Sequence, residues 1–145
     1  ISLWMGFALS GQADRVPDIV VFYAEDCPQC HQMDEVLDDL LRVHPRLIVE
    51  RIESKTPGAE ALLWKLSNAY GIIPYTYPVV FVGDEAIVGA SRAKEIALQS
   101  AVERCLRVGC PSPASQVEDR AVFPWMTLVT VTLVVLVVMG LVLLL

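Results

Sequence analysis

The sequence predicts an α/β sandwich, one sheet between helical layers, with an apolar helix appended at the C-terminal end. Three observations carry that expectation. Short runs rich in β-branched and aromatic residues alternate with longer stretches of three- and four-residue apolar spacing. A pair of cysteines two residues apart, Cys27 and Cys30, stands where the first run gives way to the first helical pattern. The stretch from Ala121 to Leu145 carries no charged residue.

Ile19 to Tyr23 suits a parallel strand buried on both faces, and a strand is expected over Asp18–Tyr23. A helix follows over Cys27–Val43: Met33, Val36, Leu37, Leu40 and Leu41 recur at helical spacing, with Asp34, Glu35, Asp38 and Asp39 between them. Pro45 stops it, because a proline disfavours helical geometry in the residue before it. A strand over Leu47–Glu53 comes next, then a helix over Gly58–Tyr70 opened by Thr56-Pro57, where the missing N–H of a first-turn proline costs nothing. Two strands, Val79–Val82 and Ala86–Val88, are joined through Gly83-Asp84-Glu85 as a hairpin. Gly89 to Ser91 turn and cap a last helix over Arg92–Arg107. The order is βαβαββα.

The chain of 145 residues has room for one domain and an appendage. Its apolar fraction of 54% and mean hydropathy of +0.52 exceed what a wholly soluble domain needs, and the excess sits at the two ends. A net charge of −6 without a Lys/Arg cluster argues against nucleic acid as a partner. At the start, apolar Ile1 to Leu9 and the small residues of Ser10-Gly11-Gln12-Ala13 resemble the tail of a secretory signal peptide, or the end of a membrane helix, over residues 1–13. At the other end, residues 121–145 read as a transmembrane helix. About 20 residues from Trp125 onward, at about 1.5 Å each, match a hydrocarbon core of about 30 Å, and Trp125 suits the interface. Residues 111–120, opening on Pro111-Ser112-Pro113-Ala114-Ser115-Gln116, read as a linker between that helix and a domain over 16–110.

The cysteine pair carries the chemistry. A helix N-terminus presents free N–H groups and a positive dipole end, which lower the pKa of a thiol placed there. Cys27 is therefore expected to attack and Cys30 to resolve, with Pro28, Gln29 and His31 tuning the pair. Glu25 and Asp26 should oppose the thiolate, while the helix terminus and a protonated His31 favour it.

This order of elements, with Cys-x-x-Cys at the first strand-to-helix junction, resembles the thioredoxin-like superfamily, a three-layer βαβαββα sandwich. The residues that carry the resemblance are Phe22-Tyr23-Ala24-Glu25-Asp26-Cys27-Pro28-Gln29-Cys30 and Tyr77-Pro78-Val79-Val80-Phe81-Val82-Gly83-Asp84, with Gly89 beyond. In that superfamily a cis-proline precedes the third strand and faces the cysteines. By position the resemblance assigns this role to Pro78, rather than to Pro74, and implies that Thr76, Tyr77 and Pro78 bind substrate. Cys-Pro-x-Cys looks more like a glutaredoxin than a thioredoxin, although Ser91-Arg92 stands where glutaredoxins carry an acidic pair.

Other chemistries fit the same residues less well. Cys27-Pro28-Gln29-Cys30-His31 matches the c-type haem attachment pattern, but it ends a buried strand and is followed by further βα units. A zinc site would want a second Cys-x-x-Cys. Neither a metal nor another cofactor is called for by thiol chemistry. His44 reads as a helix-end charge and Trp64 as core. Cys105 and Cys110 flank Gly109, which lets the chain turn back, so these thiols form either a structural disulfide or a second redox pair. Gly109-Cys110-Pro111-Ser112-Pro113 leading into an apolar run also resembles thioredoxin-like domains fused to cytochrome c biogenesis-type membrane electron carriers. The expectation is a membrane-anchored thiol–disulfide oxidoreductase acting on protein thiols and disulfides, its redox domain extracytoplasmic, on the periplasmic or cell-surface side. A relay domain fed by a membrane electron donor is the alternative.

Overall fold

A computed structural model describes residues 16–121 and 125–143. In chain order the elements are β1 (Ile19–Tyr23), α1 (Pro28–Val43), β2 (Val49–Glu53), α2 (Ala59–Tyr70), β3 (Val79–Val82), β4 (Glu85–Val88), α3 (Arg92–Val108), α4 (Pro113–Ala121) and α5 (Trp125–Leu143). The expected signal-like segment over 1–13 lies outside the described residues.

Four strands form one sheet in the order β2-β1-β3-β4. β1 runs parallel to β2 and antiparallel to β3, and β3 pairs antiparallel with β4. Because successive side chains of a strand point to opposite faces, the unbroken apolar run of β1 feeds two cores at once. Ile19 and Val21 pack with Met33 and Leu37 of α1 and Leu98 and Val102 of α3. Val20 and Phe22 pack on the other face with Leu63 and Leu66 of α2. Phe81 of β3 anchors that second layer, edge-on to Phe22 at 6.0 Å and tilted against Tyr70 at 5.0 Å. Each such ring, fully buried, contributes about 2–3 kcal/mol of transfer free energy. The result is a mixed α/β sheet with helices packed on both faces, an arrangement consistent with a thioredoxin-like fold.

Helix ends follow local chemistry. Gly71, at φ 67°, closes α2 by donating its N–H to Ser67 and Asn68 carbonyls, a left-handed cap that suits glycine. Ser91 caps α3, its side chain accepting the Lys94 N–H.

The linker expected over residues 111–120 is helical instead. Ser112 Oγ accepts the Ala114 N–H at 3.3 Å, Pro113 sits fully buried at the first turn, and Val117 packs into the α2-side core. α4 therefore rests on α2 rather than trailing away from the domain.

α5 is a 19-residue helix without a charged side chain. Among the described residues, however, no helix is long and apolar enough to cross a membrane. The transmembrane helix expected over 121–145 is thus not supported. The α5 side chains whose burial is described belong to residues 129–136, 138 and 139. Among them Val131, Leu133, Val135 and Leu136 are exposed.

Candidate active site

The site forms where β1 ends and α1 begins. Tyr23 closes the strand, Glu25 and Asp26 make a turn, and Asp26 adopts φ 56°, a left-handed conformation that Asp tolerates better than most residues. That turn delivers Cys27 in extended geometry to the N-cap of α1, with Pro28 in the first turn. The Cys27 sulfur accepts the Cys30 N–H at 3.1 Å, while the Cys27 carbonyl accepts the N–H groups of Cys30 and His31 at 3.0 and 3.2 Å. A cap position normally held by Ser or Asp is held here by sulfur.

Cys27 and Cys30 are joined as a disulfide with a Cα–Cα distance of 5.2 Å. Their surroundings differ. Cys27 is half-buried, whereas Cys30 is only 7% exposed. In the reduced state the accessible sulfur is the one beside the helix N-terminus, which suits Cys27 to attack and Cys30 to resolve.

Tyr77-Pro78 is a cis peptide bond, and Pro78 is buried at the head of β3. Its carbonyl accepts the Gly89 N–H at 2.6 Å. Gly89, at φ 76°, marks the place where three segments meet. A Cβ there would lie 3.1 Å from Thr76 Cγ2, 3.1 Å from Lys94 Nζ and 3.8 Å from Gln29 Oε1. The loop between the cysteines, the segment before the cis-proline and the first turn of α3 are thereby brought together. Thr76 and Tyr77 are half-buried there, and Tyr75 beside them is 73% exposed. Lys94, which donates to the Val88 carbonyl, was not singled out by the sequence pattern. Its signal is its place three residues after the Ser91 cap.

Behind the disulfide a cleft of about 570 Å³ is lined by Tyr23, Asp26, Cys30, His31, Asp34 and Arg51 among others. Arg51 of β2 donates through Nε to Asp34 at 2.6 Å and through a terminal nitrogen to Asp38 at 2.7 Å, tying the edge strand to α1. Neither Asp34 nor Arg51 was legible as a site residue, because the pairing joins elements distant in sequence. Glu25, expected to oppose the thiolate, is engaged by Lys55 at 3.1 Å, and this hydrogen bond and charge raise the Lys55 pKa. The pair is exposed and worth little to stability. Asp26 remains as the carboxylate next to Cys27, and His31 is exposed on α1.

Cys105 and Cys110 are not part of this site. They form a second disulfide with a Cα–Cα distance of 4.4 Å, and the Cys110 sulfur lies 3.8 Å from the Asp18 carbonyl. Asp18 precedes β1 and Cys27 follows it, so the two disulfides stand at opposite ends of a five-residue strand, at least about 16 Å long. Direct exchange between them within one chain is excluded by that distance. Among the described residues no group of His, Cys, Asp and Glu is placed to hold a metal ion.

No protein-family model and no curated protein matches the sequence. The chain is similar in structure to a glutaredoxin from Archaeoglobus fulgidus, with a TM-score of 0.44 and 20% identity over 59% of this chain and 86% of that one. What the site can do follows from its own geometry. It presents an accessible sulfur at a helix N-terminus, a buried sulfur within bonding reach and a cis-proline segment alongside.

Proposed function

We propose that this chain is a thiol–disulfide oxidoreductase acting on protein thiols and disulfides, with Cys27 as nucleophile and Cys30 as resolving thiol. The observation that carries the reading is Cys27 at the N-cap of α1, its sulfur accepting the Cys30 N–H and bonded to the less exposed Cys30. Starting from the dithiol, the Cys27 thiolate attacks a substrate disulfide and releases one substrate thiolate, which takes up a proton. Cys30 then attacks the Cys27 sulfur of the mixed disulfide, its own proton passing to the second substrate thiolate as that leaves. Two electrons and two protons have moved, and Cys27–Cys30 is oxidised. Thr76, Tyr77 and Pro78 offer the surface against which the substrate chain lies. An extended substrate segment pairs by backbone hydrogen bonds, and exposed Tyr75 supplies apolar contact. Glutathione is not required by this reading.

The proposal extends to placement. The uncharged α5, whose described valine and leucine side chains are exposed, supports a membrane anchor, and a second disulfide supports an oxidising, extracytoplasmic compartment. The full chain, reduced and mixed with a disulfide-bonded protein, should trap a mixed disulfide when Cys30→Ser is introduced and none when Cys27→Ser is. Trapping through neither cysteine, or a visible haem band covalently bound at Cys27 and Cys30, removes the reading. Membrane placement is checked separately by whether the expressed chain stays in the membrane pellet after alkaline carbonate washing. Release into the supernatant removes the anchor and leaves the redox reading intact.

A further inference from the structure

The second disulfide sits where the chain changes sides. α3 packs on one face of the sheet through Leu98, Val102 and Cys105, and Cys110 leans on that same core. Only seven residues after Cys110, Val117 of α4 is packed into the core on the other face. The crossing is made at the start of β1. There the Cys110 sulfur lies against the Asp18 carbonyl and Ser112 Oγ donates to the Pro17 carbonyl at 2.8 Å. Gly109, at φ 98°, turns the chain out of α3, and Pro113 is buried directly after the crossing. A cavity of about 200 Å³ opens beside the bond, lined by Gly83, Asp84, Arg104, Cys105, Gly109 and Pro111. A Cβ on Gly83 would stand 3.5 Å from the Cys105 sulfur, so the wall of this cavity approaches the disulfide closely.

We propose that Cys105–Cys110 is a reducible clasp for α4, opened by a small dithiol that enters this cavity, and that it works independently of Cys27–Cys30. An incoming thiolate attacks the Cys105 sulfur, the Cys105–Cys110 bond breaks, and Cys110 leaves as a thiolate that takes a proton from water. The second thiol of the reductant then attacks its own sulfur in the mixed disulfide, closing the reductant's disulfide. Cys105 leaves as a thiolate and is protonated. Two electrons pass from dithiol to protein. Arg104 on the cavity wall is paired with Glu85, and the Asp84 carboxylate stands on the same wall, so attack depends on access through the cavity rather than on charge attraction. With the bond open, the chain from Cys105 onward regains its freedom. α4, only nine residues long and marginal as a helix by itself, leaves its seat on α2 more often.

The test uses the full chain in detergent carrying Cys27→Ser and Cys30→Ser, so that Cys105–Cys110 is the one remaining disulfide, with dithiothreitol as the probe. Hydrogen exchange is followed in α4, β1 and β3. The clasp predicts that α4 amides exchange on the order of ten-fold faster after reduction, recover on reoxidation, and that β1 and β3 do not change. Equal α4 protection in both forms overturns it. So does a loss of protection spread evenly over β1 and β3, which describes a general staple. Adding Cys110→Ser to the same background should give the fast α4 exchange without any reductant, and slow exchange there also overturns the proposal.

Discussion

At one end of β1 a disulfide caps the start of a helix, and at the other end a disulfide closes the finish of one. Cys27 stands at the N-terminus of α1, half-buried, its sulfur accepting an N–H. Cys105 stands in the last turn of α3, buried, with its partner held against the start of β1. The helix dipole acts with opposite sign at the two places. It stabilises a thiolate at Cys27 and disfavours one at Cys105. Leaving-group stability and access both set how readily a disulfide exchanges, so the same bond in one chain is poised for exchange at one end and for holding at the other.

The largest expected effect breaks the comparison by removing one pole at a time. Cys27→Ser should lower the rate of substrate disulfide reduction by at least about 100-fold, whereas Cys105→Ala with Cys110→Ala should leave it within about two-fold. A comparable loss in the second variant would mean the poles are coupled. Next in size is a change that strikes the sheet both poles share. Phe81 is fully buried against Phe22 and Tyr70, and Phe81→Ala should destabilise the fold by about 3–5 kcal/mol in urea unfolding. Smaller again is Gly89→Ala. At φ 76° with Thr76 and Lys94 at 3.1 Å, a methyl group should cost about 1–2 kcal/mol. It should also slow exchange at the Cys27 pole while the α4 clasp is unaffected, as hydrogen exchange of α4 would report.

The smallest effect sharpens the other pole. Tyr70 donates its hydroxyl to the Gly83 carbonyl at 2.6 Å, and burial, with the Asp84 charge, pushes its pKa up to about 12 from an ordinary 10.0. The folded state then holds the proton more tightly than the unfolded one. Its contribution is fully present below pH 10 and is lost as pH rises from 10 to about 12. Because the ring is only partly buried, screening reduces this to about 1 kcal/mol. Tyr70→Phe should flatten the stability curve across that interval, and an unchanged slope would assign the alkaline loss to other groups.

Much of this was legible in the sequence. β1, α1, α2, β3 and α3 announce themselves because apolar period and helix punctuation agree: Pro45 stops α1, Thr56-Pro57 opens the way into α2 and Ser91 caps α3. The cysteine pair is recognisable since its chemistry depends on a local junction, whereas the cis-proline is assigned to Pro78 rather than Pro74 through the resemblance. α4 was hidden by its Pro and Ser content, although Ser112 as cap, Pro113 in the first turn and Val117 one turn on are a helix start that composition alone disguises. The Arg51–Asp34 pair and the meeting of Gln29, Thr76 and Lys94 around Gly89 are tertiary. They arise from how β2 lies beside α1 and how α3 begins over β4, which no local pattern encodes.

The most direct measurement is differential alkylation of the full chain, read by peptide mass spectrometry, across buffers of defined thiol–disulfide potential. Cys27–Cys30 should convert reversibly at a potential within the range of about −120 to −270 mV spanned by exchanging proteins. Cys105–Cys110 should remain oxidised there and open only at a more negative potential. A single shared transition, or the reverse order, would contradict the division of the molecule into an exchanging pole and a holding one.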